Sequence, residues 1–65
     1  MISELDLRSA LHELNNALTV IVSSADLLML DLDPESLCLQ DVTAIITACE
    51  RGRLIVEGIR EKVMR

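Results

Sequence analysis

Apolar residues recur along this chain at spacings of four and three, in two long runs separated by one break. Leu7, Leu11, Leu14, Leu18, Ile21, Ala25, Leu28 and Leu32 make up the first run. Cys38, Val42, Ile45, Cys49, Gly52, Val56, Ile59 and Val63 make up the second. Such spacing gathers side chains onto one face of a 3.6-residue helix, so each run predicts an amphipathic helix with a heptad seam. The break is Asp31-Leu32-Asp33-Pro34. The expectation is an all-α, antiparallel two-helix hairpin forming a single domain over residues 1–65. Helix 1 is expected over about 3–31, the turn over about 31–34, and helix 2 over about 35–64, with Leu39 as the latest start the pattern allows.

The predicted helix ends carry suitable chemistry. Ser3 with Asp6 three residues on reads as a capping box, and Ile2 with Leu7 as a hydrophobic staple. Asp33 followed by Pro34 reads as N-cap and first-turn residue of helix 2, with Glu35 favoured at the positive helix start. Lys62 and Arg65 fall at the far end, where cations are favoured.

Each apolar stripe is wider than one partner helix covers. Val22 and Met29 flank the first seam; Leu39, Ile46 and Ile55 flank the second. A lone hairpin leaves part of that surface wet, and a chain of 65 residues buries too little to be comfortable alone. Two hairpins joined as a four-helix bundle solve both problems, so a homodimer is expected.

Composition narrows the functional classes. Half the chain is hydrophobic but none of it is aromatic, so the core is aliphatic. The net charge of −5 and the lack of stacking rings argue against nucleic-acid binding. Charge is unevenly spread: residues 1–41 hold eight acids against Arg8 alone, whereas residues 42–65 hold three acids against five bases. No apolar run approaches the ~18 residues of a membrane span, and no signal-peptide pattern opens the chain. A cytoplasmic protein without membrane insertion is expected. Cys38 and Cys49 lie eleven apart on one helix, roughly 16 Å at 1.5 Å per residue, too far for a disulfide. They read as buried free thiols, and with one distant histidine they make no metal site.

The residues with chemical potential lie in one stretch, His12-Glu13-Leu14-Asn15-Asn16-Ala17-Leu18-Thr19. His12 falls one step past Leu11, on the flank of the seam, so it is expected to be partly exposed. Asn15 and Asn16, three and four residues on, share its face. A neutral imidazole is a nucleophile near neutral pH, a neighbouring carboxylate orients it, and amides one turn away hold a water or a phosphoryl oxygen. A turn at residues 32–34 sets His12 level with residues 52–56. There Gly52 makes room, and Arg51 or Arg53 offers charge to a phosphoryl group. No Ser/His/Asp set, glycine-rich phosphate loop or second histidine competes with this reading.

The stretch HELNNALTVI resembles the H-box of the dimerisation and histidine-phosphotransfer domain of two-component sensor histidine kinases. His12-Glu13-Leu14 resembles the commoner form, H-E-[FL]-[RK]-[NT]-P-L. Asn15-Asn16-x-Leu18-Thr19 resembles a second branch, H-D-F-N-N-x-L-T. Ala48-Cys49-Glu50-Arg51-Gly52 resembles the second-helix segment of that domain, so the likeness covers nearly the whole chain. Ala17 stands where the commoner branch has proline, which removes any kink just past the histidine.

The resemblance implies that His12 is the phosphoacceptor, that Glu13 assists proton handling, and that Asn16 places water for dephosphorylating a receiver aspartate. It implies that Asn15, Thr19, Val20 and Ser23 contact a response-regulator receiver domain. No nucleotide lid follows, so ATP and Mg are expected to act only through a separate catalytic domain, in cis or in trans. The chain itself binds no cofactor and no metal in this reading. The expected function is phosphoacceptor and dimerisation domain of a sensor histidine kinase. A free-standing phosphorelay protein and an inert helical dimerisation or adaptor module are the alternatives.

Overall fold

The computed structural model describes residues 2–63 and shows two helices in an antiparallel hairpin. Helix α1 spans Glu4–Asp31 and helix α2 spans Cys38–Val63. The hairpin is a rod with extents of 48 × 17 × 15 Å. Arg65, expected to stabilise the end of α2, lies outside the described residues; Arg60 and Lys62 occupy its last described turn.

Ser3 caps α1, as its sequence position suggests: extended at φ −75° and ψ 160°, its Oγ accepts from the Asp6 N–H at 3.0 Å. Ile2 stays exposed, so the staple with Leu7 covers little of it. Replacing Ser3 by alanine strips one orphan N–H of its partner and costs about 1 kcal/mol. A thermal melt followed by circular dichroism registers the loss, with fraying confined to the first turn.

The connection is longer than expected. Asp33-Pro34 opens a β-turn rather than α2: the Ser36 N–H donates to the Asp33 carbonyl at 2.8 Å, and Asp33 Oδ1 accepts from the Glu35 N–H at 3.1 Å. Asp at the first and Pro at the second position suit such a turn. Capping of α2 passes to Ser36, whose Oγ accepts from the Cys38 N–H at 3.1 Å. Helix α2 therefore begins three residues later than the expected position 35.

That extra length resets the register. A Cβ added to Gly52 would lie 3.4 Å from Leu18 Cδ1, so Gly52 faces Leu18. Positions whose numbers sum to about 70 are level, as 18 and 52 are. Gly52 thus makes room for Leu18 and not for His12, which is level with Gly58.

The seam is also rephased. Its buried residues are Leu11 and Ala25 from α1, with Val42, Cys49 and Val56 from α2. Leu7, Asn15, Leu18, Val22, Met29 and Leu32 are half-buried around them, as are Leu39, Ile46, Gly52, Arg60 and Val63. Alternate seam positions have moved one residue along. Asn15, Val22 and Met29 replace Leu14, Ile21 and Leu28; Leu39, Ile46 and Arg60 replace Cys38, Ile45 and Ile59. The displaced leucines and isoleucines remain half-exposed in a row on one flank, from 40% for Ile59 to 50% for Leu28. Each helix uses one edge of its wide stripe inside the hairpin and leaves the other edge uncovered.

Both cysteines are free; Cys49 is buried as expected, but Cys38, opening α2, is exposed. Among the described residues no helix is long and apolar enough to cross a membrane. Gly58 sits mid-helix with nothing within 4 Å of an added Cβ. Gly58→Ala should therefore stabilise the protein by about 0.8–1 kcal/mol from helix propensity alone. Urea unfolding would show the midpoint rising at constant slope.

Candidate functional site

The seam divides the hairpin into two unlike faces. On one, an apolar groove is lined by Val20, Ile21, Ser24, Ala25 and Leu28 of α1 and by Val42 and Ile45 of α2. On the other, a polar groove is lined by Asn15 of α1 and by Glu50, Arg53, Leu54 and Glu57 of α2. His12 belongs to the polar side. At 100° per residue it shares a stripe with Arg8, Asn16, Thr19 and Ser23, all exposed.

His12 is exposed, consistent with its place one residue off the seam, and no hydrogen bond or ion pair with another described residue engages its ring. Glu13 is exposed about 100° round the helix from it. Asn16, one turn on, is exposed on the same stripe. This trio leaves a nucleophilic ring, a carboxylate and an amide open to an incoming partner.

Asn15 departs from the expectation that it shares the face of His12 and Asn16. It occupies the seam, half-buried against α2, and its Oδ1 is buried with no hydrogen-bond partner. The reason is angular: in the rephased seam, position 15 follows Leu11 at a spacing of four and precedes Leu18 at three. An orphaned buried acceptor costs about 1–3 kcal/mol.

The remaining expected positions separate. Thr19 lies on the His12 stripe, but its Oγ1 donates to the Asn15 carbonyl at 2.9 Å, which engages its only donor within the helix. Ser23 is exposed on that stripe. Val20, 63% exposed, borders the apolar groove instead. Arg51 is exposed on the outer surface of α2, and Arg53 lines the polar groove with Asn15. By the register Arg53 is level with Ala17, five positions or roughly 7.5 Å beyond the level of His12.

Sequence reasoning missed two cations within about a helical turn of the level of His12. Arg8 lies four residues before it on the same stripe. Arg60 takes the seam place expected for Ile59, and its level, that of Ala10, falls between Arg8 and His12. The i, i+4 spacing of Arg8 and His12 was readable in the sequence. The place of Arg60 was not, because it depends on loop length.

Among the described residues no three histidine, cysteine or acidic side chains gather as a metal cage. Comparison with family models, with curated proteins and with solved structures finds no match for the chain.

Proposed function

We propose that this hairpin is the phosphoacceptor and dimerisation domain of a two-component sensor histidine kinase, working in the cytoplasm. The observation that supports this best is His12 itself, exposed on the polar flank with Asn16 one turn along the same stripe. The likeness of residues 12–19 to the H-box gives that arrangement its chemical meaning.

In this reading a neutral ring nitrogen of His12 attacks phosphorus, either the γ-phosphorus of ATP and Mg held by a separate catalytic domain or that of a receiver acyl phosphate. The bond from phosphorus to the leaving oxygen breaks, and its electron pair stays on ADP or on the aspartate. The proton on the other ring nitrogen passes to water or, through water, to Glu13. Such a transfer is mostly positioning plus charge stabilisation. Asn16 orients the water that later hydrolyses a receiver aspartyl phosphate. The receiver docks along the stripe of Thr19 and Ser23, with Asn15, Val20 and Arg53 at its margins and Arg51 further out.

The apolar flank fits a second copy of the chain. Leu14, Ile21 and Leu28 on α1 and Ile45 and Ile59 on α2 present one aliphatic row that a symmetry-related hairpin would cover with the same row. His12 lies off that row and stays accessible in the resulting four-helix bundle.

The test is phosphoryl transfer. The full chain is mixed with a kinase catalytic domain and labelled ATP, or with a phosphorylated receiver domain. Acid-labile, alkali-stable label is then sought on the wild-type chain and on His12→Gln. Label with the catalytic domain alone points to a kinase domain, and exchange with a receiver alone points to a relay protein. No label from either donor would leave only a dimerisation or adaptor role.

A further inference from the structure

We propose that Arg8 and Arg60 form a two-helix clamp for the phosphoryl group on His12, a role that deepens the phosphoacceptor reading and rests on it. The register carries the assignment. Gly52 against Leu18 puts Arg60 level with Ala10, two positions or roughly 3 Å from the level of His12. Arg53 is roughly 7.5 Å away by the same measure, on the side of the amides.

Arg60 is an anomaly in an aliphatic seam. Its side chain is 35% exposed, and its one ion pair among the described residues is to Glu57 Oε1 at 3.4 Å. That is longer than the 2.7–2.9 Å of a well-made charged hydrogen bond, so most of its donors are uncommitted. Glu57 lines the polar groove with Asn15, so the contact draws the guanidinium toward the His12 side.

Arg8 approaches from the other direction. Helical side chains lean toward the N-terminus, so the His12 ring covers the turn that holds Arg8. Glu4 lies four residues before Arg8, a spacing suited to an ion pair, yet Arg8 makes none among the described residues. In the proposed clamp two guanidinium groups with free donors bracket one imidazole, one from each helix. Arginine forks match the geometry of phosphoryl oxygens, and a dianionic phosphoryl group is what such a bracket holds best.

Potassium phosphoramidate tests the clamp without any protein partner. The His12 ring nitrogen attacks phosphorus, the phosphorus–nitrogen bond of the donor breaks with loss of ammonia, and the ring proton goes to water. Phosphohistidine formation on the full chain is followed by ³¹P NMR. Arg8→Gln with Arg60→Gln should slow it roughly tenfold or more, the scale of losing charge-assisted hydrogen bonds. Arg60→Lys keeps the charge but loses the fork, so it should recover only part of the rate lost in Arg60→Gln. Lys62→Gln removes the same charge two residues away on the outward side and should change the rate less than twofold.

Wild-type rates in the double variant would overturn the clamp. So would equal slowing by Lys62→Gln, which would mean that net charge alone acts. Should phosphoramidate rates depend on the two arginines while neither a receiver nor an ATP-loaded domain exchanges phosphate, the anion site stands and the signalling role falls.

Discussion

His12→Gln reduces acid-labile, alkali-stable phosphate on the chain to background, with either an ATP-loaded catalytic domain or a phosphorylated receiver as donor. Glutamine suits a helix, is close in size to histidine and remains polar, and position 12 is exposed. Exposed substitutions of this kind shift stability by no more than about 0.5 kcal/mol. Helix content and oligomeric state should therefore be unchanged, and the lost label traces to the missing ring nitrogen. No second histidine exists to take over. The acid test matters because phosphate on the serines or threonines of this chain would survive acid and would not depend on position 12. Retained acid-labile label in the variant would end the phosphoacceptor reading.

Neighbouring substitutions should grade below that loss. Glu13→Gln keeps size and removes charge, so slower transfer without loss of fold is expected. Asn16→Ala should leave phosphorylation of His12 nearly intact while slowing hydrolysis of a phosphorylated receiver. A fall in both by equal factors would instead place Asn16 in the phosphorylation step.

The hairpin itself was legible because two signals agree, heptad spacing and the Asp33-Pro34 break. The phase of the seam was not. Hydrophobicity alone prefers Leu14 to Asn15 and Ile59 to Arg60, yet the structure turns Asn15 and Arg60 inward. The stripe is wide enough for two partners, and a pattern read one helix at a time does not say which edge meets which. Loop length had a similar effect. A turn centred on 32–34 sets His12 beside Gly52; the β-turn at Asp33–Ser36 and the serine cap move Gly52 to Leu18 and leave Arg60 near the level of Ala10. The exposure of His12 and Asn16 needed only their angle from Leu11, which survives either phase.

The uncovered edge sets the second large effect. Ile21→Asp should convert the proposed dimer to monomer at micromolar concentration, with much of the helical signal lost. In an isolated hairpin Ile21 is already 44% exposed, and aspartate there would cost little beyond partial burial and helix propensity. In a symmetric interface the same change occurs twice. Association buries at most the 44% of Ile21 still exposed, so each protomer forfeits roughly 0.7–1.3 kcal/mol of aliphatic burial and gains a carboxylate facing an apolar surface. Even the aliphatic term alone, counted twice, weakens association by about one to two orders of magnitude. Among the described residues only five are buried within one hairpin, too thin a core to keep a separated monomer well folded. Leu30→Asp serves as the comparison: Leu30 is 81% exposed and lies on the His12 flank, away from the row. Its variant should sediment as a dimer with full helicity. A wild-type chain that sediments as a folded monomer, or an Ile21→Asp variant that stays dimeric, would sink the bundle and leave the aliphatic row without its partner.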